Sequence, residues 1–156
     1  MNLCILCVGR TREPFIRTGI DKYLRYLKPY APVSIREVRE ERIDDLKDAP
    51  RVRRREAERI GKTLSSGAYV VALDERGREF TSHEFAAFIN STLEKGVREM
   101  TFIVGGSLGL DESVTERADA VLALSRWTLT HELARLVLLE QLYRAFTILR
   151  GKTYHY

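Results

Sequence analysis

No apolar run in the chain approaches the ~18 residues that a membrane-spanning helix needs, so no membrane partner is expected. The first apolar run, Leu3 to Val8, follows no basic segment and leads straight into Gly9, which does not suit a signal peptide. The expected location is the cytoplasm. Cysteine is scarce, with only Cys4 and Cys7. Both fall inside one predicted strand, an odd number of positions apart, and therefore point to opposite faces. A redox Cys-x-x-Cys pair instead sits in a loop opening a helix, where the helix N-terminus lowers the thiol pKa. Buried structural thiols are expected, and two cysteines cannot assemble a four-ligand zinc site. No metal is expected. The phosphate-cradling pattern G-x-x-x-x-G-K-[ST] is also missing, which removes a P-loop nucleotidase.

What is present fits one folded domain over residues 1–156, with 44% hydrophobic and 31% charged residues. The net charge of +4 is compatible with nucleic acid but does not require it. Basic residues concentrate in Arg51, Arg53, Arg54, Arg55, Arg59 and Lys62, against Glu56 and Glu58. Two readings of that run stand: a solvated helix face or a patch that contacts phosphate.

Apolar runs and turn signals alternate along the whole chain. Leu3–Val8, Ala68–Leu73, Met100–Val104 and Ala120–Leu124 read as buried strands, and Val33–Val38 as a half-polar strand near an edge. Helical spacing predicts a helix from Pro14 to before Pro29, with Ile16, Ile20, Tyr23, Leu24 and Leu27 inward. A second helix is predicted over Arg51–Leu64, with Ala57, Ile60 and Leu64 inward. Asp74-Glu75-Arg76-Gly77 reads as a turn. Thr81 and Glu84 form a capping box for the next helix, Asp111 caps a short one, and Thr130 caps a long one ending near Leu149. Alternating strands and helices predict an α/β fold with a mostly parallel sheet.

In such sheets ligands bind beyond the carboxyl ends of the strands. Leu73-Asp74, Gly105–Gly109 and Ser125–Thr130 are the candidate ends. The glycine cluster follows the fourth predicted strand, whereas a dinucleotide fold or a Rossmann-type methyltransferase places it after the first. The Ser125–Thr130 loop carries the only Trp and three hydroxyls, Ser125, Thr128 and Thr130. Trp127 is either a lid over the core or part of a loop wrapping an adenine-like ring. The last helix is apolar almost all round, which makes it either the monomer core or a dimer interface. The aromatic tail Tyr154-His155-Tyr156 suits stacking on an unpaired base.

Several of these segments together resemble a known family. They are Leu124-Ser125-Arg126-Trp127-Thr128-Leu129-Thr130-His131-Glu132-Leu133-Ala134-Arg135, Glu140-Gln141-Leu142-Tyr143-Arg144-Ala145-Phe146 and Tyr154-His155. With Leu73-Asp74, Gly105-Gly106-x-x-Gly109 and the opening strand plus Gly9, they are similar to the RlmH (YbeA) family. These are 23S ribosomal RNA (pseudouridine-N3)-methyltransferases of the SPOUT class, and the resemblance spans essentially the whole chain. It implies a SPOUT-type α/β knot, a mostly parallel sheet flanked by helices with a C-terminal trefoil knot, against the usual avoidance of threading. It also implies a homodimer with S-adenosylmethionine held by Leu73, Gly105, Gly106, Ser125, Arg126, Trp127, Thr128, Leu129 and Thr130. The implied substrate is a pseudouridine in the helix-69 loop of 23S ribosomal RNA within the ribosome, held by Arg144 and Tyr154. His155 is then the candidate proton acceptor. Two departures stand out. The family usually has Phe-Pro where this chain has Leu129-Thr130, and a basic residue after Tyr-His where this chain has Tyr156.

Overall fold

A computed structural model describes residues 1–154. His155 and Tyr156 lie outside the described residues. The strands are β1 (Asn2–Val8), β2 (Val33–Val38), β3 (Tyr69–Glu79), β4 (Glu99–Val104) and β5 (Ala120–Ala123). The helices are α1 (Pro14–Leu27), α2 (Ala49–Thr63), α3 (Ser82–Glu94), α4 (Glu112–Arg117) and α5 (His131–Leu149). The strands pair in the order β2-β1-β4-β3-β5, and every pairing is parallel.

β1 and β4 occupy inner positions, and their near-continuous apolar sequences are buried on both faces. β2 lies at the edge and alternates exposed with covered positions, as its half-polar sequence requires. One sheet face buries Leu3, Ile5 and Cys7 beneath α1, α3 and α5. The other buries Leu6, Val8, Ala72 and Ile103 beneath Ile60 of α2 and Val114 of α4. Cys4 and Cys7 are buried free thiols. Burial pushes the Cys7 thiol up to about 12, so it stays protonated and unreactive.

Helix starts follow the sequence closely. Thr81 Oγ1 accepts from the Glu84 amide at 3.2 Å, and the Glu84 carboxylate accepts from the Thr81 amide at 2.7 Å. α5 lies between α1 and α3, with Leu138, Leu139, Leu142, Ala145 and Phe146 buried. One side of this apolar helix therefore belongs to the monomer core, while Leu136, Val137 and Tyr143 remain half-buried. In α2 the inward stripe is Val52, Glu56 and Ile60; Ala57 and Leu64 are only half-buried.

The sequence expectation fails at Asp74–Gly77. These residues do not turn the chain; β3 continues through them to Glu79. Its pairing with β5 slips there, because both Leu73 and Arg78 align with Leu122. The turn-forming residues make the slip: the Asp74 carboxylate accepts from the Arg76 amide and from its Nε, each at 2.9 Å. Gly77 then crosses β5 so closely that a Cβ would sit 2.6 Å from the carbonyl carbon of Leu122. Gly77→Val is therefore expected to lower stability by about 1–3 kcal/mol, the usual cost of overpacking. Gly61→Ala in α2, whose Cβ comes no nearer than 3.5 Å to Arg117, should instead gain about 0.5–1 kcal/mol. Urea unfolding of the two variants checks both signs.

Candidate active site

β4, β3 and β5 are neighbours, so the loops after β4 and β5 meet beside the slip at Leu73–Arg76 inside β3. Together they wall an open cleft of about 1220 Å³. Leu73, Gly105, Gly106, Ser125, Trp127, Thr128, Leu129 and Thr130 all line it. Arg126 does not. Its side chain is 86% exposed and donates from Nε to Glu79 at 2.7 Å. It braces the loop from outside the cleft.

Each hydroxyl of the Ser125–Thr130 loop is used to shape the chain. Ser125 Oγ accepts from the Trp127 amide at 2.9 Å, and Thr128 donates to Glu75 at 2.9 Å. Thr130 Oγ1 accepts from the Leu133 amide at 3.2 Å, capping α5. Thr130 adopts φ −60° and ψ 147°, a conformation open to proline. A proline in place of Thr130 would fit that φ but would lose the side-chain cap on the Leu133 amide. Trp127 is 83% exposed while lining the cleft, so it is not a lid over the core.

The glycine loop owes its composition mainly to packing. A Cβ on Gly105 would meet the Gly109 backbone at 3.0 Å, and one on Gly106 would meet Val8 at 3.1 Å and Glu56 at 3.3 Å. Only Gly109 uses a positive φ, +79°, where a turn closes with its amide donating to the Gly106 carbonyl at 3.1 Å. Glu56 is 5% exposed and accepts from the Glu41 amide at 3.0 Å. Burial pushes its carboxyl above the ordinary range. It supports the glycine loop from the side away from the cleft.

α5 is anchored beside the same loop. Arg135 is 1% exposed and donates to the Val8 carbonyl at 2.6 Å and to Thr11 at 2.9 Å. Its Nε has no hydrogen-bond partner among the described residues. One turn earlier, buried Glu132 accepts from the amides of Arg12 and Glu13. Burial pushes the Glu132 carboxyl up, but those donated N–H groups outweigh it and hold the group below its usual range. His131, which lines the cleft, is held below its ordinary pKa by burial and by the nearby Arg135 guanidinium. It is neutral at neutral pH. The sequence alone gives Glu132 and Arg135 no roles, because their partners lie more than a hundred residues away.

The second set of expected residues lies elsewhere on α5. Arg144 donates to Glu140 Oε1 at 3.1 Å, and Tyr154 donates to the same oxygen at 2.6 Å. The Arg144 guanidinium stacks 3.8 Å from the centre of the Tyr154 ring. At the helical rise of 1.5 Å per residue, Arg144 stands roughly 20 Å along α5 from Thr130. Within one chain the structure does not bring this cluster to the cleft.

Arg135→Leu removes the donors to Val8 and Thr11 and leaves a buried carbonyl unpaired. We expect a loss on the order of 1–3 kcal/mol, read by urea unfolding, together with faster amide exchange over residues 9–13. Unchanged exchange there would mean that the contact does not hold the loop.

The family described as "Predicted SPOUT methyltransferase" matches residues 1–155. The ribosomal RNA large subunit methyltransferase H of Geobacter metallireducens is 47% identical over 156 residues, covering 100% of this chain and 99% of the relative. The protein of the same name from Syntrophotalea carbinolica is 45% identical over 155 residues, covering 99% of each. Among solved structures, a probable methyltransferase from Bordetella pertussis Tohama I superposes with a TM-score of 0.58 at 12% identity, covering 93% of this chain and 96% of that one. That likeness speaks to the fold alone. The full-length sequence matches speak to the family: this chain belongs to the SPOUT methyltransferases.

Proposed function

We propose that this protein transfers a methyl group from S-adenosylmethionine to N3 of a pseudouridine in the helix-69 loop of 23S ribosomal RNA, acting on the assembled ribosome in the cytoplasm as a homodimer. One observation carries the reading. Leu73, Gly105–Gly106 and the 125–130 loop, distant in sequence, wall one cleft in a chain matched end to end by proteins named ribosomal RNA large subunit methyltransferase H.

The cleft suits the cofactor chemically. Leu73, Leu124 and Leu129 offer apolar wall, and the exposed Trp127 indole offers a ring for adenine to stack upon. Asp74, Glu75, Asp111 and Glu112 stand with Arg53, Arg54 and Arg76 in the walls, so a sulfonium cation meets no excess of positive charge. When bound, S-adenosylmethionine supplies an electrophilic methyl group. The protein's own part is to orient the acceptor and to take the N3 proton. In this reading His155 takes the proton, and Arg144 and Tyr154 hold the RNA.

Distance supports the homodimer in this reading. Arg144 and Tyr154 are remote from their own chain's cleft, and a second copy could bring its cluster to it. Half-buried Val137 on α5 offers apolar surface for the partner, while Leu136 and Tyr143 pack mainly against α1 and its neighbours. The trefoil knot belongs to the same proposal: the chain passing from the glycine loop through the 125–130 loop into the anchored α5 is the segment that would be threaded.

Incubating the protein and labelled cofactor with intact ribosomes, separate subunits and naked RNA, then mapping the product, tests the reading. We expect one methylated position, in helix 69, on intact ribosomes; label elsewhere or none contradicts it. Trp127→Ala should keep its fold, because the side chain is exposed, yet raise the calorimetric Kd for S-adenosylmethionine by about tenfold or more, as loss of aromatic stacking predicts.

A further inference from the structure

The basic helix that the sequence left with two readings divides in the structure. Arg51, Arg55 and Arg59 repeat every fourth residue and converge on Glu41, at 3.6 Å, at 4.0 Å and, for Arg59, in a direct hydrogen-bonded pair. The Arg59 guanidinium, with its neighbours, holds the Glu41 carboxyl below its usual range. Arg59 also donates to the Arg39 carbonyl at 2.9 Å. This stripe ties α2 to the segment after β2. Its three arginines still outnumber the acids they face, Glu41 and, for Arg51, Asp48.

By helical spacing Lys62 lies on the same side as that stripe, whereas Arg53 and Arg54 lie off it. Arg53 and Arg54 stand in the wall of the cleft. Arg54 also borders a shallower groove of about 390 Å³ between α2 and α4, whose rim carries Lys62 and Arg117. α2 and α4 are brought together at Gly61, where a Cβ would lie 3.5 Å from Arg117 Nη1. Among the described residues, none of Arg53, Arg54, Lys62 and Arg117 forms an ion pair. Glu58 is the one acid among the described residues lining the groove, whereas in the cleft Arg53 and Arg54 stand with Asp111, whose carboxyl the Ser113 hydroxyl and then these arginines hold below its usual range. Beyond the cleft, Arg54, Lys62 and Arg117 from two elements outnumber the single acid Glu58 along the groove.

We propose that this α2–α4 ridge carries the phosphate backbone of the RNA flanking the methylated nucleotide. The proposal rests on the RNA substrate argued above and adds where the strand runs. Phosphate oxygens are the complementary partner for a line of exposed guanidinium and ammonium groups, and such contacts position a strand without reading its sequence. One surface serves both the reacting base and its neighbours.

The test uses Lys62→Gln/Arg117→Gln, which leaves the cleft walls intact, with Arg25→Gln/Lys28→Gln on α1 as a charge-matched control on the opposite sheet face. Ribosome binding by the cofactor-saturated proteins is measured across a salt series, beside KM, kcat and the calorimetric Kd for S-adenosylmethionine. Each phosphate contact adds roughly one to the salt slope. The ridge variant should therefore lose about two from that slope and show a raised KM, with kcat and cofactor Kd unchanged. The control should match the wild type. A wild type that methylates ribosomes while the ridge variant keeps the same slope and KM overturns the ridge alone, as does a defect confined to cofactor Kd. A wild type that methylates no ribosomal particle overturns the RNA reading and the ridge with it.

Discussion

The contact on which the site depends is the tie between the first turns of α5 and the segment leaving β1. Arg135 donates to Val8 at the end of β1, and Glu132 receives the amides of Arg12 and Glu13 just beyond it. β1 is an inner strand, so this tie pins the last helix to a rigid part of the sheet. The 125–130 loop enters α5 directly, and Gly106 rests against Val8 on the other side. A single strand end therefore holds the two loops that face each other across the cleft. Burying an arginine is costly without good partners, and the partners here are a main-chain carbonyl, a threonine hydroxyl and the nearby Glu132.

This arrangement separates the work of the molecule along α5. Its first turn belongs to the cleft, where His131 lines the wall and Thr130 caps the helix. Its far half presents Glu140, Arg144 and Tyr154 as one hydrogen-bonded and stacked cluster. A rigid helix cannot fold these two regions together, so the proposed chemistry needs a second copy to unite them. The apolar side chains of α5 fill the monomer core, and under the proposed dimer its remaining apolar surface would meet the partner.

Much of the fold was legible because buried strands and capped helices are local signals. The apolar runs of β1 and β4, the Thr81–Glu84 box and the Thr130 cap all appear where the residues indicated. Asp74–Gly77 misled because Asp and Gly favour turns locally, whereas here they make a slip inside β3 set by its pairing with β5. Eight of the nine cofactor residues that the resemblance named line the cleft; the exception is Arg126, whose partner Glu79 lies 47 positions away. Glu56, Glu132 and Arg135 carried no such signal. Each looks like an ordinary helix charge until the partner segment is in place. The α2 arginines divide only once Glu41 is seen beside one face, which spacing along α2 alone does not reveal.

Hydrogen exchange with and without S-adenosylmethionine tests most directly whether these loops form the cofactor site. The account predicts slowed exchange over residues 105–110 and 125–131 when the cofactor is added. Unchanged exchange in both loops, with protection appearing instead along the α2–α4 groove, would contradict it.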